Sequence, residues 1–145
     1  AAKEGFRQLS WTDAKEHKYI EEAGTMNVLF VIDNVLVTPF TGDTILNGIT
    51  RKSVVDIAKD WGMEVQERKI EVNEVFQALK EGTLTEAFGA GTAATIAPIS
   101  NISLNGENFS IPKSKDHHFH TKVLKYLSEY KMGKHPDKFD WLVRV

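Results

Sequence analysis

Residues 88–100 read FGAGTAATIAPIS, and the segment downstream of their glycines decides the fold. Gly89, Gly91 and Ala94 fit G-x-G-x-x-A, one spelling of the glycine-rich turn that holds a dinucleotide pyrophosphate. That fingerprint needs a strand before the glycines, a helix after them and an acidic residue about 20 positions on. A short strand over residues 86–88 satisfies the first condition. Residues 95–104, TIAPISNISL, fail the second, because they carry β-branched side chains, a proline and no helical period. With no helix N-terminus to face a pyrophosphate, the dinucleotide-binding fold is set aside. A glycine corner remains, either converging N–H groups on an anion or simply bending; the local sequence alone favours the plain corner.

Outward from this stretch, strands and helices interleave. Residues 6–11, 19–22, 26–32 and 35–38 are apolar and β-prone, and Asp33-Asn34 between the last two signals a hairpin. Residues 39–46 form a loop with Gly42 and Asp43 as turn residues. Val54, Ile57, Ala58 and Trp61 then recur at helical spacing and stop at Gly62. Residues 63–70 read as one strand, and Val72, Val75, Phe76 and Leu79 as a second helix ended by Gly82. Asn105-Gly106 turns a second hairpin towards residues 109–111. Asp116 is placed to cap a last helix carrying Phe119, Val123, Leu127 and Tyr130, with Gly133 and Pro136 beyond its end. This order predicts an α/β or α+β domain with a mixed sheet and flanking helices.

The composition narrows the function classes. The chain has 145 residues, enough for one domain. A net charge of −2 gives no reason to expect nucleic acid or an acidic membrane as partner. The absence of cysteine excludes disulfides, thiolate zinc sites and cysteine nucleophiles. No apolar run is long enough to span a bilayer and the charged start AAKE is no signal peptide, so a cytoplasmic protein is expected. The first residue is alanine rather than Met, which fits a processed product or a piece of something longer. His117, His118 and His120 lack a spaced carboxylate or further histidine and read as a solvated helix start rather than a metal site. The three tryptophans, without a basic stripe, read as core or interface, and Asp140-Trp141 as packing the C-terminus onto the domain.

Two further segments bear on chemistry. In ILNGITRKS, residues 45–53, a helix starts at about residues 48–50. First-turn N–H groups lack intrahelical partners and the dipole is positive there, so Thr50 and its neighbours suit a phosphate. In EEAGTMNVLF, residues 21–30, Glu22 stands beside Ala23-Gly24 in a β-prone run, where a buried carboxylate would need a cation.

Taken in order, EAGTMN, ILNGITR and FGAGTAATIAP resemble the E-x-G-T-M-N, I-L-P-G-I-T-R and F-x-x-G-T-A motifs of the class IV, branched-chain type aminotransferases. The resemblance runs from about Trp11 to Val145 and implies the D-amino acid aminotransferase-like fold, with its mixed sheet partly closed into a barrel-like core. It implies pyridoxal 5′-phosphate as cofactor, leucine, isoleucine or valine and 2-oxoglutarate as substrates, a role in amino-acid biosynthesis and a homodimer. Glu22 would pair with the pyridine nitrogen, and Thr25 would lie beside the cofactor near the substrate. Ile49 and Thr50 would hold the phosphate, with Thr92 adding a bond and Gly91 shaping the loop. The N–H groups of Thr92 and Ala93 would face the substrate carboxylate. Asn47 replaces the family's common proline, and Ala94 and Ala97 replace the redox cysteines of some members.

The family's Schiff-base lysine lies further upstream of the glutamate than this sequence reaches, and Lys3, Lys15 and Lys18 lack its flanking pattern. Residues 1–145 are therefore expected to be the C-terminal large domain, without the small domain and inactive alone. A D-amino acid aminotransferase, an aminodeoxychorismate lyase and a non-catalytic phosphate-binding scaffold are the alternatives.

Overall fold

The computed structural model describes residues 10–12, 19–23, 26–40, 48–91, 95–104, 107–113, 115–139 and 141. Its centre is β3 (Met26–Ile32), all but one of whose residues are buried. β3 turns through Asp33 and Asn34 into β4 (Val35–Thr38). Both turn residues take positive φ, 51° and 61°, which right-twisted hairpins favour and Asp and Asn tolerate.

β7 (Leu84–Gly91) pairs with β3 along almost its whole length, from Asn27–Ala90 to Ile32–Leu84. The opposite edge of β3 is therefore shared end to end. β2 (Tyr19–Ala23) pairs with Met26 and Asn27, and β4 with residues 30–32. Where β2 and β4 part, the Thr38 hydroxyl donates to the Val28 carbonyl at 2.8 Å, meeting a buried acceptor the ladder leaves. β2 also carries β1 (Ser10–Thr12) and β6 (Ile70–Glu71), β4 carries β5 (Val65–Glu67), and β7 carries β8 (Thr95–Pro98). Among the described residues only the β4–β5 pair is parallel, and α1 (Ile49–Asp60) lies in that crossover. β9 (Asn101–Leu104) and β10 (Glu107–Ser110) form a separate hairpin.

Strand alternation divides the apolar residues between two cores. Leu29 and Val31 face one, with Leu36, Phe88 and Ala90, under α1 and α3 (Phe119–Lys131). Val28 and Phe30 face the other, with Val37, Ala87 and Ile70, under α2 (Val72–Glu81). The register slips between Val31–Glu86 and Ile32–Leu84, leaving Thr85 as an extra residue. That irregularity turns Leu84 onto the α2 side, and it leaves Glu86 in step with Phe88 and Ala90.

The mixed α/β class read from the sequence holds. Gly62, Gly82 and Gly133 take φ of 79°, 75° and 75° just past the three helices, as expected for glycine stops. Three local readings are corrected. Residues 63–70 are not one strand, because the chain bends at residues 68–69 between β5 and β6. Asp116 does not cap α3, whose N-cap is His118. The glycines of FGAGT are not a turn but the end of β7.

Candidate functional site

The strand placement of those glycines explains how the site is assembled. Gly89 and Gly91 lack side chains on the strand face that Met26 covers. A Cβ on Gly89 would lie 3.0 Å from the Met26 sulfur and 3.1 Å from its Cβ, and one on Gly91 3.0 Å from its terminal methyl. On the other face, a Cβ on Gly48 would overlap the Asn27 side-chain oxygen. Met26 and Asn27 end the EAGTMN motif, Gly48 stands in ILNGITR, and Gly89 and Gly91 stand in FGAGT. Adjacent residues of β3 thus press one motif against each of the others. Register continues the row, with Glu22 opposite Asn27 and Asn27 opposite Ala90.

α1 begins at this junction. Its cap is Gly48 in extended conformation, with no side-chain hydrogen bond, and its first turn holds no acidic residue. The first helical bond in place is Lys52 N–H to the Gly48 carbonyl, 3.0 Å, so the N–H groups of Ile49, Thr50 and Arg51 precede the helical ladder. The Ile49 side chain is 86% exposed, whereas Thr50 is 7% exposed.

Arg51 is 3% exposed. Its Nη2 donates to the Pro39 carbonyl and to Glu67 Oε1, each at 2.9 Å. Its Nε is buried without a hydrogen-bond partner among the described residues. Sequence reading passes over Arg51; a lone arginine inside a helix signals nothing until its burial is seen.

Of the residues the resemblance singles out, Ile49, Thr50 and Gly91 are placed as above, and Glu22 is placed by its β2 backbone. Thr25, Thr92 and Ala93 lie outside the described residues. Gly91, the last residue of β7, pairs with Thr95, the first of β8.

The histidine cluster is corrected. His118 and His120 are buried, not solvated, and a carboxylate does join them, Glu86 of β7. Glu86 accepts the N–H groups of Phe119 at 3.1 Å and His120 at 2.9 Å, so a strand side chain caps α3. The His120 ring Nδ1 bonds the same carboxylate at 2.5 Å. His118 Nδ1 accepts the Lys115 N–H at 3.1 Å, which puts its own hydrogen on Nε2. These contacts anchor the start of α3. Burial pushes the Glu86 carboxyl up, but bonds from the His120 side chain and the His120 and Phe119 backbones outweigh it and hold the group below the usual carboxylate range. Burial lowers His118, against the pull of the Glu86 charge.

The C-terminal segment folds onto α3 as the sequence suggests for Trp141; Asp140 lies outside the described residues. Trp141 stacks on Phe139, centroids 4.4 Å apart, and lies 5.0 Å from Tyr130. The Tyr130 hydroxyl donates to Asp137 and accepts the Phe139 N–H at 3.1 Å. Burial raises the Tyr130 pKa above the usual phenol range, helped by the Asp137 bond. Among the described residues, no helix is long and apolar enough to cross a membrane.

The whole chain is also similar to known proteins. Branched-chain-amino-acid aminotransferase 2 of Bacillus subtilis is 43% identical over the whole chain, which covers 40% of that protein. The chain thus spans less than half the length of the curated relatives it matches. The branched-chain amino acid aminotransferase of Escherichia coli superposes on 99% of the chain with a TM-score of 0.79 at 27% identity, the match covering 45% of that structure. The branched-chain aminotransferase of the thermophilic archaeon Thermoproteus uzoniensis, solved with norvaline, superposes on 99% with a TM-score of 0.78 at 29% identity, covering 43%. The amino-transferase class IV family model matches residues 1–102, the part that holds all three motifs and the junction Met26 and Asn27 build between them, and the chain belongs to that family.

Proposed function

We propose that this chain is the C-terminal, cofactor-holding domain of a branched-chain-amino-acid aminotransferase that uses pyridoxal 5′-phosphate. The observation that carries the reading is the junction of the three motifs on β3. The residues present fit the phosphate end of the cofactor. The α1 N-terminus has a glycine cap, no first-turn acid, a buried Thr50 and a buried cation beside it, all suited to an anion.

Pyridoxal phosphate supplies an electron sink for charge forming at the substrate Cα. The roles of this chain's residues are to hold and orient. The N–H groups of Ile49 and Thr50, with the Thr50 hydroxyl, bind the phosphate, joined by Thr92 after Gly91. Glu22 keeps the proton on the pyridine nitrogen. Thr25 lies beside the cofactor near the substrate, and the Thr92 and Ala93 N–H groups orient the substrate carboxylate. The lysine and the small domain belong to a longer protein, which works as a cytoplasmic homodimer on leucine, isoleucine or valine and 2-oxoglutarate.

The test is a substrate panel on that longer protein. Turnover of the branched-chain L-amino acids with 2-oxoglutarate is expected, and a preference for D-amino acids would overturn the branched-chain reading. The 145-residue chain with added cofactor is expected to show no turnover; clear activity would contradict the placement of the lysine outside it.

A further inference from the structure

We infer that Arg51 is a positioning residue for an anionic group at the α1 N-terminus, and that Glu67 sets how much of its charge that group feels. The inference rests on the phosphate reading of α1 above. Arg51 is the third residue of α1 and is 3% exposed. Two features of it are unfavourable in the chain alone. A cation in the first turn stands at the positive end of the helix dipole, where an acidic residue would be stabilising. The Nε donor is buried without a partner among the described residues, which costs free energy that an apolar side chain of similar length would not. A dianion at the first turn reverses the sign of the first term, because charge of either origin at that helix end then attracts it.

The Arg51 contacts also fix the cradle. One Nη2 joins the Pro39 carbonyl, just past β4, to Glu67 at the end of β5, both at 2.9 Å. The first turn of α1 is thereby tied to two strand ends before any ligand arrives, the condition for binding without reordering. Glu67 is the partly exposed member, its side chain 37% accessible against 4% for Arg51. Its carboxylate offsets the guanidinium, so removing that charge while keeping an acceptor leaves the cation in place and less neutralised.

The test titrates inorganic phosphate into the 145-residue chain and its Glu67→Gln, Arg51→Lys and Arg51→Met variants, reading affinity from the rise in melting temperature. Glu67→Gln is expected to tighten phosphate about threefold or more. Arg51→Met is expected to weaken it at least about tenfold, with Arg51→Lys between. A merely structural Arg51 would lower the melting temperature without phosphate and leave the dissociation constants alone. Unchanged or weaker binding in Glu67→Gln overturns the inference while wild-type binding upholds the cradle. That arm retains Arg51 and so decides even if Arg51→Met does not fold. No phosphate response in the wild type removes the cradle reading, and the inference with it.

Discussion

Gly48 is glycine because Asn27 occupies the space a side chain would need. The backbone of Gly48 is ordinary extended, at φ −68° and ψ 137°, so the demand is for close approach rather than a left-handed conformation. Gly48→Ala must displace either the buried Asn27 amide or the start of α1. A loss of about 1–3 kcal/mol is expected from such overpacking, measured by urea unfolding, together with weaker phosphate binding; unchanged stability would show that Asn27 yields freely. Gly89→Ala meets Met26 at its sulfur and at its Cβ, whereas Gly91→Ala chiefly meets the mobile methyl end. The first should therefore destabilise more than the second in the same assay. The glycines are visible in the sequence, and the motif that holds them can be matched. Their purpose is not visible there, since residues 26 and 89 meet only once β3 and β7 pair. The same applies to the proposed phosphate-holding residues: Thr50 can be named from a pattern, whereas Arg51 requires its burial.

At the scale of elements, α3 is held by a strand. Its N-cap residue makes no side-chain capping bond; Glu86, 33 positions before Phe119, takes that role. Glu86→Ala should cost about 2 kcal/mol or more, because two helix donors and the His120 ring lose a buried acceptor. The pH dependence has one sign for both buried groups. Glu86 is held low, so its contribution is complete above the ordinary carboxylate range and is lost as pH falls through its lowered pKa. His118 is also held low, so its contribution is complete above about pH 6.5 and is lost as pH falls towards its own lowered value. The melting temperature should therefore fall on acidification from about pH 6.5. His118→Asn should remove the upper part of that fall and leave the acid limb; identical profiles would rule out His118. The helices and the Asp33-Asn34 hairpin are legible in the sequence because they depend on local period and turn chemistry. Local sequence points wrongly to Asp116 as the cap of α3, and to solvated histidines, because Glu86 reaches them across the fold.

At the scale of the molecule, the two cores and the mixed sheet follow from alternation along β3, which is why the α/β class can be read before any contact is known. The fork of β3 between β2 and β4 cannot, since both partners share one edge and only register shows where each ends. Apolar side chains flank the start of α1, with Phe40 56% and Ile49 86% exposed. Bare surface of this kind favours association, so the isolated chain should self-associate as its concentration rises. Sedimentation showing a monomer at every concentration would contradict that. The central claim is that EAGTMN, ILNGITR and FGAGT form one cofactor face, and backbone amide NMR during titration with pyridoxal 5′-phosphate tests it most directly. The account predicts that the largest shifts fall together on Glu22, Ile49, Thr50, Thr92 and Ala93. Shifts confined to lysines elsewhere, or affecting one motif without the others, would contradict it.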